Sequence, residues 1–187
     1  MKKIFIVIAL FAATISWAQG VLSLRQYKNI GGEFIQRVIK THSTVNPKYI
    51  LAYGKQTQKL IDNGKAYACV AYKDDKFVAQ AVLVPQIKNK HFRQEFVGLA
   101  PAAITNENSI HEFTKLLQSE FINAEGLACC FPEYQLKEFE TLLEMTGYKP
   151  NPEIAEDPSV MKEYYGDIFS NADHLWYSLD FEKIKKN

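Results

Sequence analysis

The residue types best suited to chemistry are few in this chain. His42, His91, His111 and His174 lie at intervals that place no two of them as a metal pair or a triad, and each reads as a surface or satisfied histidine. His111 stands apart because it falls in the first turn of a predicted helix, where the helix N-terminus disfavours a charged imidazole. Cys129 and Cys130 sit at the end of a predicted strand, the end at which open sheets often place function. A nucleophilic thiolate needs a base or a cation beside it, and the neighbouring sequence names neither. There is no C-x-x-C pair and no histidine at ligand spacing, so no metal site is expected. Ser170-Asn171-Ala172-Asp173 reads as a turn before a last strand, and Tyr164, Tyr165, Trp176 and Tyr177 either line a cleft or, as aromatics at such positions usually do, fill the core.

The elements that must position these groups alternate between strand and helix periods. Val21 to Tyr27 alternates as a half-buried strand. Glu33 to Lys40 gathers Phe34, Ile35, Val38 and Ile39 on one helical face. Asn46-Pro47 starts a second helix, with Asn as the cap and Pro at the first helical position, and Asn63-Gly64 stops it. Ala66 to Tyr72 and Phe77 to Val84 are β-rich runs joined by Lys73-Asp74-Asp75-Lys76, an antiparallel hairpin. Both runs are apolar on two faces, which predicts a central sheet covered by helices on both sides. Phe92 to Leu99 is the next strand and Pro101 to Asn108 a loop. Ser109-Ile110-His111-Glu112 reads as a capping box opening a helix to Phe121. Leu127 to Phe131 is a strand, Pro132 to Met145 a helix ended by Gly147, and His174 to Phe181 the last strand. Asp157-Pro158 opens a short helix to about Tyr165.

The first eighteen residues read as a signal peptide. Lys2 and Lys3 form a positive n-region, and Ile4 to Ala13 an apolar run too short to span a bilayer. Ser16-Trp17-Ala18 offers small residues for cleavage before Gln19, and no cysteine there invites a lipid anchor. Residues 19–187, about 169 in number, then form one domain. Loss of Lys2 and Lys3 takes the formal charge from +1 to about −1, which argues against a nucleic-acid surface. No second apolar run reaches membrane-spanning length, so no membrane association is expected after cleavage. The expected location is periplasmic or secreted. In an exported chain three cysteines leave open a bridge from Cys69 to Cys129 or Cys130, or three small buried hydrophobes.

The order of elements resembles the GNAT-type acyl-CoA N-acyltransferase fold over nearly the whole mature chain. LSLRQYKNIGGEFIQRVI looks like its opening strand and first helix, and AYACVAYKDDKFVAQAVLV like its second and third strands. EFVGLAPAAI looks like the fourth strand entering the cofactor loop, and FETLLEMTGYKP like the last helix with its Gly147-Tyr148 turn. The resemblance implies a mixed, mostly antiparallel sheet of six to seven strands with helices on both faces. In such a sheet two strands separate Cys69 from Cys129 and Cys130, about 14 Å at about 4.8 Å per strand. A bridge needs Cα atoms within about 7 Å, so free thiols are expected.

The resemblance also implies a site. Acetyl-CoA or another acyl-CoA would lie where the fourth and fifth strands splay apart, its pyrophosphate on backbone amides at a helix N-terminus. Leu99, Ala100, Ile104, Asn108 and Ser109 fall in that stretch. The family's Gln/Arg-x-x-Gly-x-Gly/Ala pattern falls on Ile104, Glu107 and Ser109, and no glycine stands between Leu99 and Phe121. Glu107 would set a negative charge near two phosphates. Glu95 is placed for the base that takes the amine proton, the alternative being a solvated strand carboxylate. The acid's usual tyrosine position is Leu143, which leaves Tyr134, near the start of the same helix, as a substitute or a packing residue. These departures lead to the expectation of an exported, non-catalytic relative that binds a small molecule or a protein in the cleft. An active N-acyltransferase, and an exported α/β protein outside this family, stand as alternatives.

Overall fold

The computed structural model describes residues 22–43, 45–86, 90–104, 107–165 and 174–184. The expected leader, residues 1–18, lies outside them. Within them β1 (Leu22–Tyr27) leads to α1 (Glu33–Thr41) and α2 (Pro47–Asp62), and β2 (Tyr67–Lys73) and β3 (Lys76–Pro85) follow. Then come β4 (His91–Leu99), α3 (Pro101–Ile104), α4 (Glu107–Glu120), β5 (Gly126–Pro132) and α5 (Leu136–Thr146). The chain closes with β6 (Lys149–Pro150), α6 (Pro158–Tyr165), β7 (His174–Asp180) and α7 (Phe181–Ile184). The strands form one seven-stranded sheet in the order β1-β2-β3-β4-β5-β7-β6. Every neighbouring pair is antiparallel except β4 and β5.

Local chemistry sets most boundaries. The Asn46 side chain accepts the Lys48 amide at 3.0 Å and Pro47 opens α2. Gly64 and Gly147 end α2 and α5 with φ of +69° and +76°, a region that glycine enters without steric cost. Asp74 and Asp75 both hold positive φ, 51° and 59°, which suits the two-residue turn of the β2–β3 hairpin to the right-handed twist of its strands. One core lies between the sheet and α1, α2 and α6, built on Phe34, Ile35, Val38, Ile50, Leu60 and Met161. The other lies under α4 and α5, built on Ile110, Phe113, Leu117, Phe131 and Leu143. The double covering foreseen from the two-faced apolar runs is present.

Three boundaries differ from the sequence reading, each for a local reason. The stretch read as a loop from Pro101 to Asn108 begins with the short helix α3, where Pro101 supplies the first helical φ and Ala102 and Ala103 extend it. The next helix starts at Glu107, so Ser109 is its third residue and the Ser109–Glu112 capping box does not open it. Pro132 does not begin a helix. It pairs with His174 on β7 and is extended, φ −61° and ψ 141°, followed by a 3-10 turn over Glu133–Gln135 and α5 only from Leu136. Tyr134 thus belongs to that turn rather than to the helix, and its side chain lies outside the described residues.

Candidate functional site at the splay of β4 and β5

The one parallel pair is also the shortest of the long strands' pairings. β4 meets β5 at His91 with Gly126, Phe92 with Leu127 and Arg93 with Ala128, and there the ladder stops. Both strands continue, β4 to Leu99 and β5 to Pro132. A bulge on β4 accompanies the divergence. Val82 faces Glu95 while Gln80 faces Gly98, so β4 carries one residue more than β3 over this step. Phe96 takes the extra position at φ +49°, unusual for a bulky residue and bearable only where packing holds it. Its ring packs against Tyr53 of α2, centroids 5.4 Å apart.

Glu95 lies beside the bulge, and it is not the solvated strand carboxylate offered as its bland alternative. Its side chain is 7% exposed and its Oε1 accepts from Arg93 Nε at 2.6 Å and from the Tyr165 hydroxyl at 2.6 Å. Arg93 is buried as well. Its Nη1 reaches Glu156 Oε2 at 3.2 Å and its Nη2 donates to the Tyr165 hydroxyl at 2.9 Å. Tyr53 stacks on Tyr165 at 4.3 Å between centroids and donates to Glu95 Oε1 at 3.4 Å. Burial works against the Arg93 charge, but the Glu95 carboxylate, Tyr165, Tyr53 and the hydrogen bond to Glu95 together more than offset it and hold the guanidinium charged. Burial, and then the Glu95 charge, push the Tyr53 and Tyr165 hydroxyls well above the usual phenol range. Glu95 Oε1 is thus committed to an ion pair and a hydrogen bond, which leaves the buried Oε2 as the oxygen open to a proton.

The far side of the splay is filled from within. Phe139 of α5 stacks on Phe131 of β5 at 4.9 Å and meets the His42 ring, which follows α1, at 5.0 Å. His42 Nε2 in turn bonds the Val97 carbonyl on β4 at 2.9 Å. Leu99 N–H donates to Thr41 Oγ1 at 2.9 Å, and Ala100 N–H to the Val78 carbonyl at 2.8 Å. The backbone amides of Leu99 and Ala100, two of the residues read as cofactor contacts, are therefore both engaged within the chain. Ser109 is half-buried within α4, and the side chains of Ile104 and Asn108 lie outside the described residues. The structure thus gathers Glu95 and Leu99 on one strand, and the sequence holds no glycine between Leu99 and α4.

Arg93, Glu156 and Thr41 are the site residues that sequence reasoning passed over, and His42, read as a surface or satisfied histidine, is buried and satisfied. Arg93 and Glu95 at i and i+2 lie on one face of a strand predicted to be covered on both sides, and that spacing was a usable signal. Thr41 and His42 carry no comparable mark.

The cysteines stand where the sheet order predicts. Cys69 on β2 and the pair on β5 are all free. Burial pushes the Cys69 thiol up to about 12 and raises Cys129 and Cys130 as well. Successive strand residues point to opposite faces, so Cys129 and Cys130 belong to different cores. We expect the native chain to react with a thiol reagent at about pH 8 at least ~100-fold more slowly than the denatured chain, because the thiolate is the reacting species. Titration with and without denaturant reads this, and a missing thiol in the denatured chain would reveal a bridge.

Among the described residues no cluster of three or more His, Cys, Asp or Glu side chains is placed to hold a metal ion. No helix among them is long and apolar enough to cross a membrane.

No protein-family profile matches the sequence, and no curated protein matches it. Solved structures do. A candidate acetyltransferase of the GNAT family from Desulfovibrio desulfuricans superposes with a TM-score of 0.55 at 11% identity, over 86% of this chain and 99% of that one. An acetyltransferase from Streptococcus agalactiae gives 0.52 at 16% identity, over 86% and 98%. Mutant forms of the spermidine/spermine N-acetyltransferase from Vibrio cholerae give 0.52 at 12% identity, over 88% and 96%. The chain has the GNAT acetyltransferase fold.

Proposed function

We propose that this chain is an exported GNAT-fold domain that has left acyl transfer and binds a small molecule or a protein partner at the splayed end of β4 and β5. The observation that carries the reading is the state of Glu95. The carboxylate placed for the base is buried and bonded on one oxygen by Arg93 and Tyr165. General-base catalysis needs a carboxylate oxygen within reach of the amine proton, and here Oε1 is held by Arg93 and Tyr165 while Oε2 is buried. The cofactor side agrees. A helix N-terminus favours an anion through free amides and a positive dipole end, but here Glu107 opens α4 and Leu99 and Ala100 have spent their amides. The residues present do not fit an acyl-CoA, and no catalytic step is derived through one. One detail favours the active reading, an acyl transfer from acyl-CoA to an amine: Glu95 Oε2 is buried without a hydrogen-bond partner, an acceptor that an ammonium group would satisfy.

Calorimetric titration of the chain from Gln19 onward with acetyl-CoA tests the proposal. The expected result is no saturable binding below about 1 mM and no release of free thiol from acetyl-CoA when amines are added. Micromolar affinity with turnover would establish the acyltransferase instead. Export rests on Lys2, Lys3, the apolar run and Ser16-Trp17-Ala18. The intact mass of the exported chain is expected to begin at Gln19.

A further inference from the structure

The paired start of β4 and β5 lies at the other end of these strands from the splay, and a cavity of about 730 Å³ opens there. One wall is the C-terminal half of α4, where Lys115, Gln118 and Ser119 stand at i, i+3 and i+4 and so share a face. A second wall is the turn from β7 into α7, which brings Asp180, Phe181 and Glu182. His91, the first residue of β4, lines the cavity from the sheet. It is buried, with Nε2 3.2 Å from Asp180 Oδ1. Gly126, its partner on β5, leaves room for this pair. A Cβ there would stand 2.3 Å from the Leu179 carbonyl oxygen and 2.8 Å from His91 Nε2.

The charges around this cavity are not all spent. Glu125 pairs with Lys90 at 2.7 Å, and Asp180 is held by His91. Lys115 and Glu182 differ. Among the described residues neither has an ion-pair or hydrogen-bond partner, so a cation and an anion line one cavity without meeting each other. The half-buried side-chain amide of Gln118 is likewise without a partner among the described residues. Apolar surface completes the lining, from Ile122 at the rim, 79% exposed, to Phe181 at the base, 3% exposed. Two opposite charges held apart across apolar surface match a ligand that carries both signs at its ends and apolar groups between them. A volume of this size is that of a site for a ligand larger than a single amino acid.

We propose that this cavity is a second binding site, for a short zwitterionic peptide with apolar side chains. The peptide carboxylate meets Lys115 and its ammonium meets Glu182. Its amide group meets Gln118, whose side chain offers both a donor and an acceptor. Its side chains cover Ile122 and Phe181. None of these residues belongs to the splay or to the Arg93–Glu95 network, so the site does not depend on whether the chain transfers acyl groups.

The test titrates the native chain with dileucine, N-acetyl-dileucine and dileucine amide in low salt at about pH 7, where both free termini are charged, and follows backbone amide shifts by NMR. Dileucine should saturate with a Kd below about 5 mM. Each blocked peptide should bind at least about threefold more weakly, the size expected for one exposed ion pair. The signals of Gln118, Ile122 and Glu182 should move, and those of Glu95 and Leu99 should stay. Each charge is then assigned by its own variant. Lys115→Met should bind dileucine and its amide alike while still preferring dileucine to the acetylated form. Glu182→Gln should bind dileucine and the acetylated form alike while still preferring dileucine to the amide. Both positions are exposed, so both variants should melt within about 2 °C of the native chain. Absence of saturation, three peptides that bind alike, or shifts centred on Glu95 and Leu99 would overturn the site. So would a folded variant that keeps the native preference for the charge it should no longer read.

Discussion

Arg93→Met should lower the melting temperature at about pH 7 by roughly 10 °C, more than a surface charge deletion does. The guanidinium is 1% exposed and holds two buried carboxylates, Glu95 at 2.6 Å and Glu156 at 3.2 Å. Removing one partner of a buried ion pair strands the other charge and costs about 3–5 kcal/mol. A domain of this size holds about 5–15 kcal/mol in all, and each kcal/mol moves its melting point by about 2–4 °C. The variant takes the guanidinium away from two buried carboxylates. Glu95→Gln with Glu156→Gln in the Arg93→Met background should recover most of the loss, because no buried charge is left to strand. Thermal denaturation of the set, followed by circular dichroism, reads both outcomes. A deficit of under about 2 °C, or no recovery in the triple variant, would mean that the network does not carry buried charge.

This network marks the boundary of what the sequence disclosed. The fold was legible because its signals are local. Asn46-Pro47, the Asp74-Asp75 turn, the Gly64 and Gly147 stops and the two-faced apolar runs of β2 and β3 each act within a few residues. The order of the sheet, and with it the separation of Cys69 from Cys129 and Cys130, came from the resemblance of the resulting element order to the GNAT fold. The site was less legible because its contacts are not local. Glu95 looks solvated in the run Arg93-Gln94-Glu95, and only Tyr53, Glu156 and Tyr165, brought by α2, the segment before α6 and α6 itself, bury it. The filled splay depends on Thr41 and His42 meeting β4 across more than fifty residues. The bulge at Phe96 has no turn residue to announce it. Where a boundary was misplaced, at α3 and at Pro132, proline was compatible with both readings, and the deciding factor was its neighbour: alanines after Pro101, the β7 ladder beside Pro132.

Alkaline conditions should unfold the chain cooperatively between about pH 10 and about pH 11.5, because six buried acids resist ionisation together. Cys69 is pushed up to about 12 by burial, and Cys129 and Cys130 are raised too. Burial carries Tyr53, Tyr148 and Tyr165 well above the usual phenol range. All six are neutral when protonated, and all six titrate lower in the unfolded chain, near about 9 for thiols and about 10 for phenols. The native state therefore keeps protons that the unfolded state releases. Stability from these groups is complete below about pH 9 and is lost as the pH rises toward the folded values, by about 1.4 kcal/mol per group per pH unit. By about pH 10 the three thiols together remove roughly 4 kcal/mol, with the phenols adding beyond it, a large part of the whole. The Tyr53, Tyr148 and Tyr165 phenols should then ionise only as the helix signal collapses, so the last phase of the rise in tyrosinate absorbance, about three of the ten tyrosines, and circular dichroism should share one midpoint. Replacing Cys69, Cys129 and Cys130 by alanine lowers the starting stability through lost packing, but it should flatten the fall of melting temperature between about pH 8 and about pH 10 to less than half its native slope. A melting temperature independent of pH over that range, or tyrosines that all titrate near about 10 while the fold persists, would show these side chains to be in water rather than in the two cores that hold β4 and β5 apart.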